Sequence, residues 1–177
     1  MNSFLKLDIR IGRIINAKPF LKARKPAYQL EVDLGTEIGI KNSSAQLVFG
    51  YPDIQSLIGQ LCVVVINFPI RKIAGFKSQV LVTGFYADDK RVLLCQPKTD
   101  DGTIAEGSRV GVKSDDFVLS ESNGGEADIS DFINCEFTLN DDRIVQFPGG
   151  LLCTQDTNNA LVYISTNYEI PTGTILQ

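Results

Sequence analysis

Cations, short hydroxyl side chains and one amide are the residues of this chain whose types and spacing could do chemistry. What they suit is holding a phosphate backbone, not breaking a bond. Arg24 and Lys25 are adjacent, Lys41 shortly precedes Ser43 and Ser44, Asn67 stands just ahead of Arg71 and Lys72, and Lys77 touches Ser78. An arginine offers a planar fork that grips phosphate oxygens in pairs, and a lysine offers a mobile point charge. Serine hydroxyls and the asparagine amide both donate and accept, which suits sugar hydroxyls and base edges. Phe68, Phe76 and Tyr51 have flat faces on which unstacked bases could rest, although aromatic rings beside apolar strands more often serve the core.

Bond-breaking chemistry has little to work with. The chain contains no histidine, the side chain that most often moves protons near neutral pH, so serine-histidine and cysteine-histidine nucleophile systems are excluded. No Gly-x-Ser-x-Gly elbow, phosphate-cradling Gly-x-x-x-x-Gly-Lys or dinucleotide Gly-x-Gly-x-x-Gly occurs. Cys62, Cys95, Cys135 and Cys153 are far apart, without the close spacing of a zinc or redox pair. Each lies in an apolar context, so buried free thiols are expected, with no metal, no cofactor and no catalytic role.

The elements that must position these groups read mainly as strands. Tyr28 to Leu34 alternates apolar and polar residues, giving one dry face and one wet face. Arg10 to Ala17, Leu61 to Phe68, Val80 to Tyr86 and Arg91 to Gln96 are rich in β-branched or large apolar residues and end at Gly, Pro or Asp. One short helix is predicted at Pro52 to Ile58, ended by Gly59. Five strands with one short helix before the fourth is the layout of an OB-fold barrel, an all-β class whose open face and loops commonly bind nucleic acid. Beyond it, Phe132 to Leu139, Arg143 to Phe147, Leu151 to Thr154, Ala160 to Thr166 and Thr174 to Leu176 read as a small antiparallel β module.

Charge divides the chain at the same place. Residues 1–113 hold 16 of the 17 basic side chains against 10 acidic ones, a net of +6, whereas 114–177 hold only Arg143 against 11 acids, a net of -10. A polyanion-facing module joined to an acidic appendage follows. The expected organisation is a barrel over 1–113, an acidic linker over 114–131 broken by Gly124 and Gly125, and the small acidic β module over 132–177. The appendage is expected to cover a barrel edge or to enlarge a contact between two copies, with competition against a polyanion for the basic face as the sharper alternative. The longest apolar run, Leu61 to Ile66, is too short to cross a bilayer, and the first residues lack the pattern of a secretory leader, so a cytoplasmic location is expected.

Five stretches are more specific: Phe4 to Gly12, Ala23 to Tyr28, Ile38 to Gln46, Asn67 to Ile73 and Phe76 to Leu81. In order and spacing, from about residue 3 to 111, they resemble the CsaA family, which is similar to the tRNA-binding domains appended to some methionyl-tRNA and phenylalanyl-tRNA synthetases. Asn42 stands where a second lysine is common, Ile70 where a second proline is common, and Gln79 where glutamate is usual. The resemblance implies an OB-fold barrel, a homodimer, binding of tRNA or other structured RNA, and a chaperone role in protein export. It carries no implication for the acidic extension. On it rests the expected RNA-binding set: Arg24, Lys25, Lys41, Ser43, Ser44, Asn67, Arg71, Lys72, Lys77 and Ser78. Two alternatives stand beside it: a secretion chaperone that holds unfolded client proteins or meets the export machinery, its RNA affinity incidental, and an accessory subunit of an aminoacyl-tRNA synthetase.

Overall fold

A long first strand, β1 (Ile9–Pro19), organises the barrel because it pairs antiparallel with two neighbours. The structure is a computed structural model and describes residues 2–88, 90–99, 103–115, 117–118 and 125–177. The carboxyl-terminal half of β1 pairs with β2 (Tyr28–Asp33), which in turn pairs with β3 (Ile40–Ala45). The amino-terminal half pairs with β4 (Leu61–Val65). A register shift between Ile14 and Asn16 is the bulge that lets β1 bend from one neighbour to the other. Gly12 sits in the same strand where an added Cβ would meet Val32 Cγ1 at 2.5 Å, so the sheet can fold closely onto itself there.

After β4 the chain makes a hairpin of β5 (Arg71–Ile73) and β6 (Phe76–Ser78), then β7 (Leu81–Val82), which returns to β4. The order β3-β2-β1-β4-β7 is a nearly closed, five-stranded antiparallel barrel. Closure between its two ends is made by Ser43, whose buried hydroxyl donates to the Val80 carbonyl at 2.9 Å. The expected strand Val80 to Tyr86 is broken at Thr83, whose hydroxyl and amide both bond the Val63 carbonyl. The chain continues as β8 (Gly84–Tyr86), paired with β9 (Val92–Leu94). The predicted helix narrows to a 3-10 turn, Ile54–Leu57, capped by the Asp53 carboxylate on the Gln55 amide.

Beyond the barrel, β10 (Gln96–Pro97), β11 (Gly111–Lys113) and β12 (Phe117–Val118) enter a second sheet with β13 (Thr138–Leu139), β14 (Val145–Phe147), β15 (Gly150–Gln155) and β16 (Leu161–Ser165). Both sheets are antiparallel throughout. Residues 116 and 119–124 of the expected linker lie outside the described residues. Within the rest of 114–131, β12 pairs with β11 and a helix begins at Ile129.

Three helices are short: α1 (Asn2–Lys6), α2 (Gly35–Ile38) and α3 (Ile129–Ile133). The last corrects the expected strand Phe132 to Leu139: its first two residues, Phe132 and Ile133, end the helix, and only Thr138–Leu139 is strand. Asp128 caps the helix, accepting from the Ser130 and Asp131 amides, while the Asp131 carboxylate accepts from the Asp128 amide. Rings of Phe4, Phe132, Phe137 and Phe147 meet with centroids 5.0–6.3 Å apart, joining α1 to the acidic segment. Lys6 donates to Asp131 at 2.9 Å beside them, a bond that raises the lysine's pKa. One apolar core therefore runs through both sheets.

Candidate nucleic-acid interface

The β1–β2 loop and the β5–β6 hairpin hold the expected cations, and the sequence folds both onto one side of the barrel. Phe20, at the end of β1, is buried and lies 5.3 Å from Phe76 of β6 by ring centroid, so the base of the loop is clamped to the hairpin. The hairpin is then stitched to β3. The Ser44 amide donates to Ser78 Oγ at 3.0 Å, the Asn42 amide donates to Gln79 Oε1 at 2.9 Å, and the Gln79 amide donates to the Asn42 carbonyl at 2.8 Å. Gln79, an amide where the resembling family carries glutamate, thereby places a neutral acceptor on the Asn42 amide.

These contacts connect the three cationic segments. Arg24 and Lys25 are exposed on the loop, Arg71, Lys72 and Lys77 are exposed on the hairpin, and half-buried Lys41 sits on β3 opposite Val32. Lys72 and Lys77 are direct cross-strand partners, two like charges held side by side. Such a pair destabilises its own hairpin, and an anion lying across it removes the repulsion. Among the described residues none of these six cations is in an ion pair. By contrast Lys6, Arg10, Arg13 and Arg91 are held by Asp131, Asp8, Glu106 and Asp88. The Arg13 guanidinium holds the Glu106 carboxyl below its ordinary pKa, and the Arg91 amide and side chain together bring Asp88 down to about 2. The protein thus uses one set of cations internally and leaves another set bare.

The short polar residues divide differently. Ser43 is buried with its hydroxyl committed to Val80, and Ser78 Oγ accepts from Ser44, so these groups build the interface's floor. Asn67 is spent within the chain: its Oδ1 accepts from the Asp8 amide at 2.9 Å, and its Nδ2 donates to the Lys6 and Gly125 carbonyls, each at 2.8 Å. Its carbonyl also accepts from the Ala127 amide. The three aromatics have structural duties. Tyr51 is buried, accepts from the Leu94 amide and has its hydroxyl pKa raised by burial; Phe68 packs against the core; Phe76 meets Phe20. Sequence reasoning missed Lys18, Lys22 and Leu21, which are exposed around the same loop. Their signal was the run of four cations in eight residues, Lys18 to Lys25.

No group of three or more metal-ligating side chains exists among the described residues. All four cysteines are buried and free, with burial pushing the Cys62 thiol up to about 12 and the Cys135 and Cys153 thiols up to about 11. No described helix is long and apolar enough to cross a membrane.

The model of a putative tRNA binding domain matches residues 9–105, more than half of the chain. A methionine-tRNA ligase of Thermotoga maritima is 33% identical over 113 residues, covering 62% of this chain but only 16% of the ligase. The chain therefore spans about a sixth of such curated relatives. The crystal structure of chaperone CsaA from Bacillus anthracis shares 44% identity with a TM-score of 0.56, across 61% of this chain and 94% of that one. The C-terminal domain of Plasmodium vivax p43 is 14% identical, has a TM-score of 0.75 and covers 100% of both chains, so it shares the fold of the barrel together with its extension.

Proposed function

The chain belongs to the family of the putative tRNA binding domain, and on that premise we propose that it is a non-catalytic protein that holds tRNA or similarly structured RNA on the face formed by the β1–β2 loop, β3 and the β5–β6 hairpin. The observation that carries this reading is the bare set Arg24, Lys25, Lys41, Arg71, Lys72 and Lys77, drawn together by the Phe20 and Phe76 contact and the β3 stitching. OB-folds use the corresponding loops, after the first and fourth strands, for oligonucleotides. Ser43, whose hydroxyl is committed to Val80, positions the face, while Asn67, bonded to Asp8, Lys6 and Gly125, braces the end of β4; neither touches RNA in this reading.

Charge supplies most of the affinity in this reading. If the six cations neutralise six phosphates, log affinity falls with log salt at a slope of about -4, using the single-strand coefficient. Fluorescence anisotropy of labelled tRNA against ionic strength measures it. Replacing Arg71 and Lys72 together with alanine is expected to make the slope shallower by about 1.4. An unchanged slope, or no binding at low salt, removes the proposal. Two copies would double the face on one particle, and sedimentation equilibrium distinguishes a single chain of 19.4 kDa from a homodimer.

A second reading has an observation of its own. A groove of about 1140 Å³ in the acidic segment is lined by Ile129, Phe132, Ile133 and Ile175, three of which are exposed isoleucines. Such a groove suits apolar segments of unfolded clients, the chaperone alternative. Binding of an unfolded model protein that persists at high salt and survives the Arg71 and Lys72 replacement favours it.

A further inference from the structure

Leu21 is 91% exposed, the barest large apolar side chain among the described residues, and it stands among Lys18, Lys22, Arg24 and Lys25, all exposed. We propose that Leu21 is an apolar wedge that seats against an unstacked base, so that the β1–β2 loop prefers single-stranded RNA loops to duplex. The inference rests on the RNA-binding reading above and adds to it a residue that discriminates among RNAs.

The loop is held at its base. Phe20 and Ala27 are buried, the Phe20 amide donates to the Ala27 carbonyl at 3.0 Å, and the Ala23 amide donates to the Phe20 carbonyl at 3.3 Å. Pro19 and Pro26 bracket the turn with restricted backbone angles. With the Phe20 ring fixed on Phe76, the next residue is presented to solvent from a braced support. A single exposed leucine on a surface is ordinary. One next to the braced base of the loop, with four exposed cations within four residues of it in sequence, has charged neighbours that draw a polyanion onto it.

The two kinds of side chain then select differently. Lysine and arginine pair with phosphates of duplexes and loops alike, which positions RNA without discriminating. A leucine gains only where it meets apolar surface, and in RNA that surface is the face of a base released from its stack. An anionic membrane also accepts a leucine among lysines, but stable attachment takes a larger apolar face or a second anchor, and one side chain supplies neither.

The test compares a labelled RNA hairpin with an open loop and a blunt duplex of equal length, by anisotropy with the full chain. Leu21→Ala is expected to weaken hairpin binding about tenfold while leaving duplex affinity and the salt slope unchanged. At 91% exposure the change removes no core contact, so folding is not at stake. Leu21→Lys separates charge from wedge: the proposal expects duplex binding to tighten while the preference for the open loop is lost. Leu21→Ala acting equally on both RNAs, or Leu21→Lys tightening hairpin binding, overturns it. Wild-type protein that binds neither RNA overturns the reading beneath it. A Leu21 effect confined to phosphatidylserine vesicles overturns it in favour of a membrane surface.

Discussion

Asn67 shows how a single side chain can look like a reader of nucleic acid and act as a brace. Its amide ties the Asp8 amide, the Lys6 carbonyl and the Gly125 carbonyl into one knot at the end of β4. Asn67→Ala leaves an amide and two carbonyls without partners, and is expected to cost about 2 kcal/mol, read as a lower urea midpoint at unchanged slope. RNA affinity should stay within about twofold, because no bare cation moves. Cys62 gives a residue-scale pH dependence. Burial holds its thiol pKa near about 12 in the folded chain against an ordinary value of 9.0. The folded state therefore keeps a proton that the unfolded state has released between those two values. Stability is fully present below pH 9 and falls as pH rises toward 12. Urea midpoints across that window check the sign, and Ellman's reagent should find no fast thiol in the native protein at neutral pH and all four after denaturation.

At the scale of elements, the β5–β6 hairpin carries a local cost. Its two turn residues, Ala74 and Gly75, both have positive φ, at 46° and 84°. Glycine accepts this, whereas an alanine is strained in the left-handed region. Ala74→Gly is expected to change stability little, the relief of strain offsetting the added freedom of the unfolded chain, while Ala74→Asn should raise the melting temperature by the equivalent of about 0.5 kcal/mol. Differential scanning calorimetry measures both, and a lower melting temperature for Ala74→Asn contradicts the assignment. Not every such element was legible from residue types. In β2 the alternation from Tyr28 to Asp33 is plain, because one face is dry and the other wet. In β3 the buried positions are Ser43 and Ala45, with half-buried Lys41, Asn42 and Ser44 around them, so no apolar rhythm marks it. What makes Ser43 tolerable inside is the Val80 carbonyl, 37 residues away, which no local pattern can announce. The cation clusters were readable in the same way as β2, from composition. Which cations are bare was not, since that depends on where Asp8, Glu106, Asp88 and Asp131 come to lie. The helix α3 was hidden by its brevity and by an apolar continuation that reads equally as strand.

For the whole molecule, the division of charge and the division of the core do not coincide. Net charge changes sign at about residue 113, yet β10 and β11 on the basic side pair with β16 and β15 on the acidic side. The Thr154 hydroxyl bonds the Arg109 carbonyl, Gly84 and Gln177 exchange two backbone hydrogen bonds, and Phe4 stacks among Phe137 and Phe147. The acidic segment is thus a wall of the structure, while its charge stays available to influence the basic face through space. A chain ended at Lys113 would expose two strand edges and the apolar side of α1, a combination that drives self-association. It is expected to melt at a lower temperature than the full chain, to bind a dye for exposed apolar surface, and to sediment at a higher multiple of its own mass. Its bare cations remain, so if the acidic segment repels RNA, the soluble fraction binds tRNA more tightly at low salt, and the gain shrinks as salt rises. Equal stability and equal state of association in the two lengths would show that the barrel stands without its wall, and that the shared core contributes nothing that 1–113 lacks by itself.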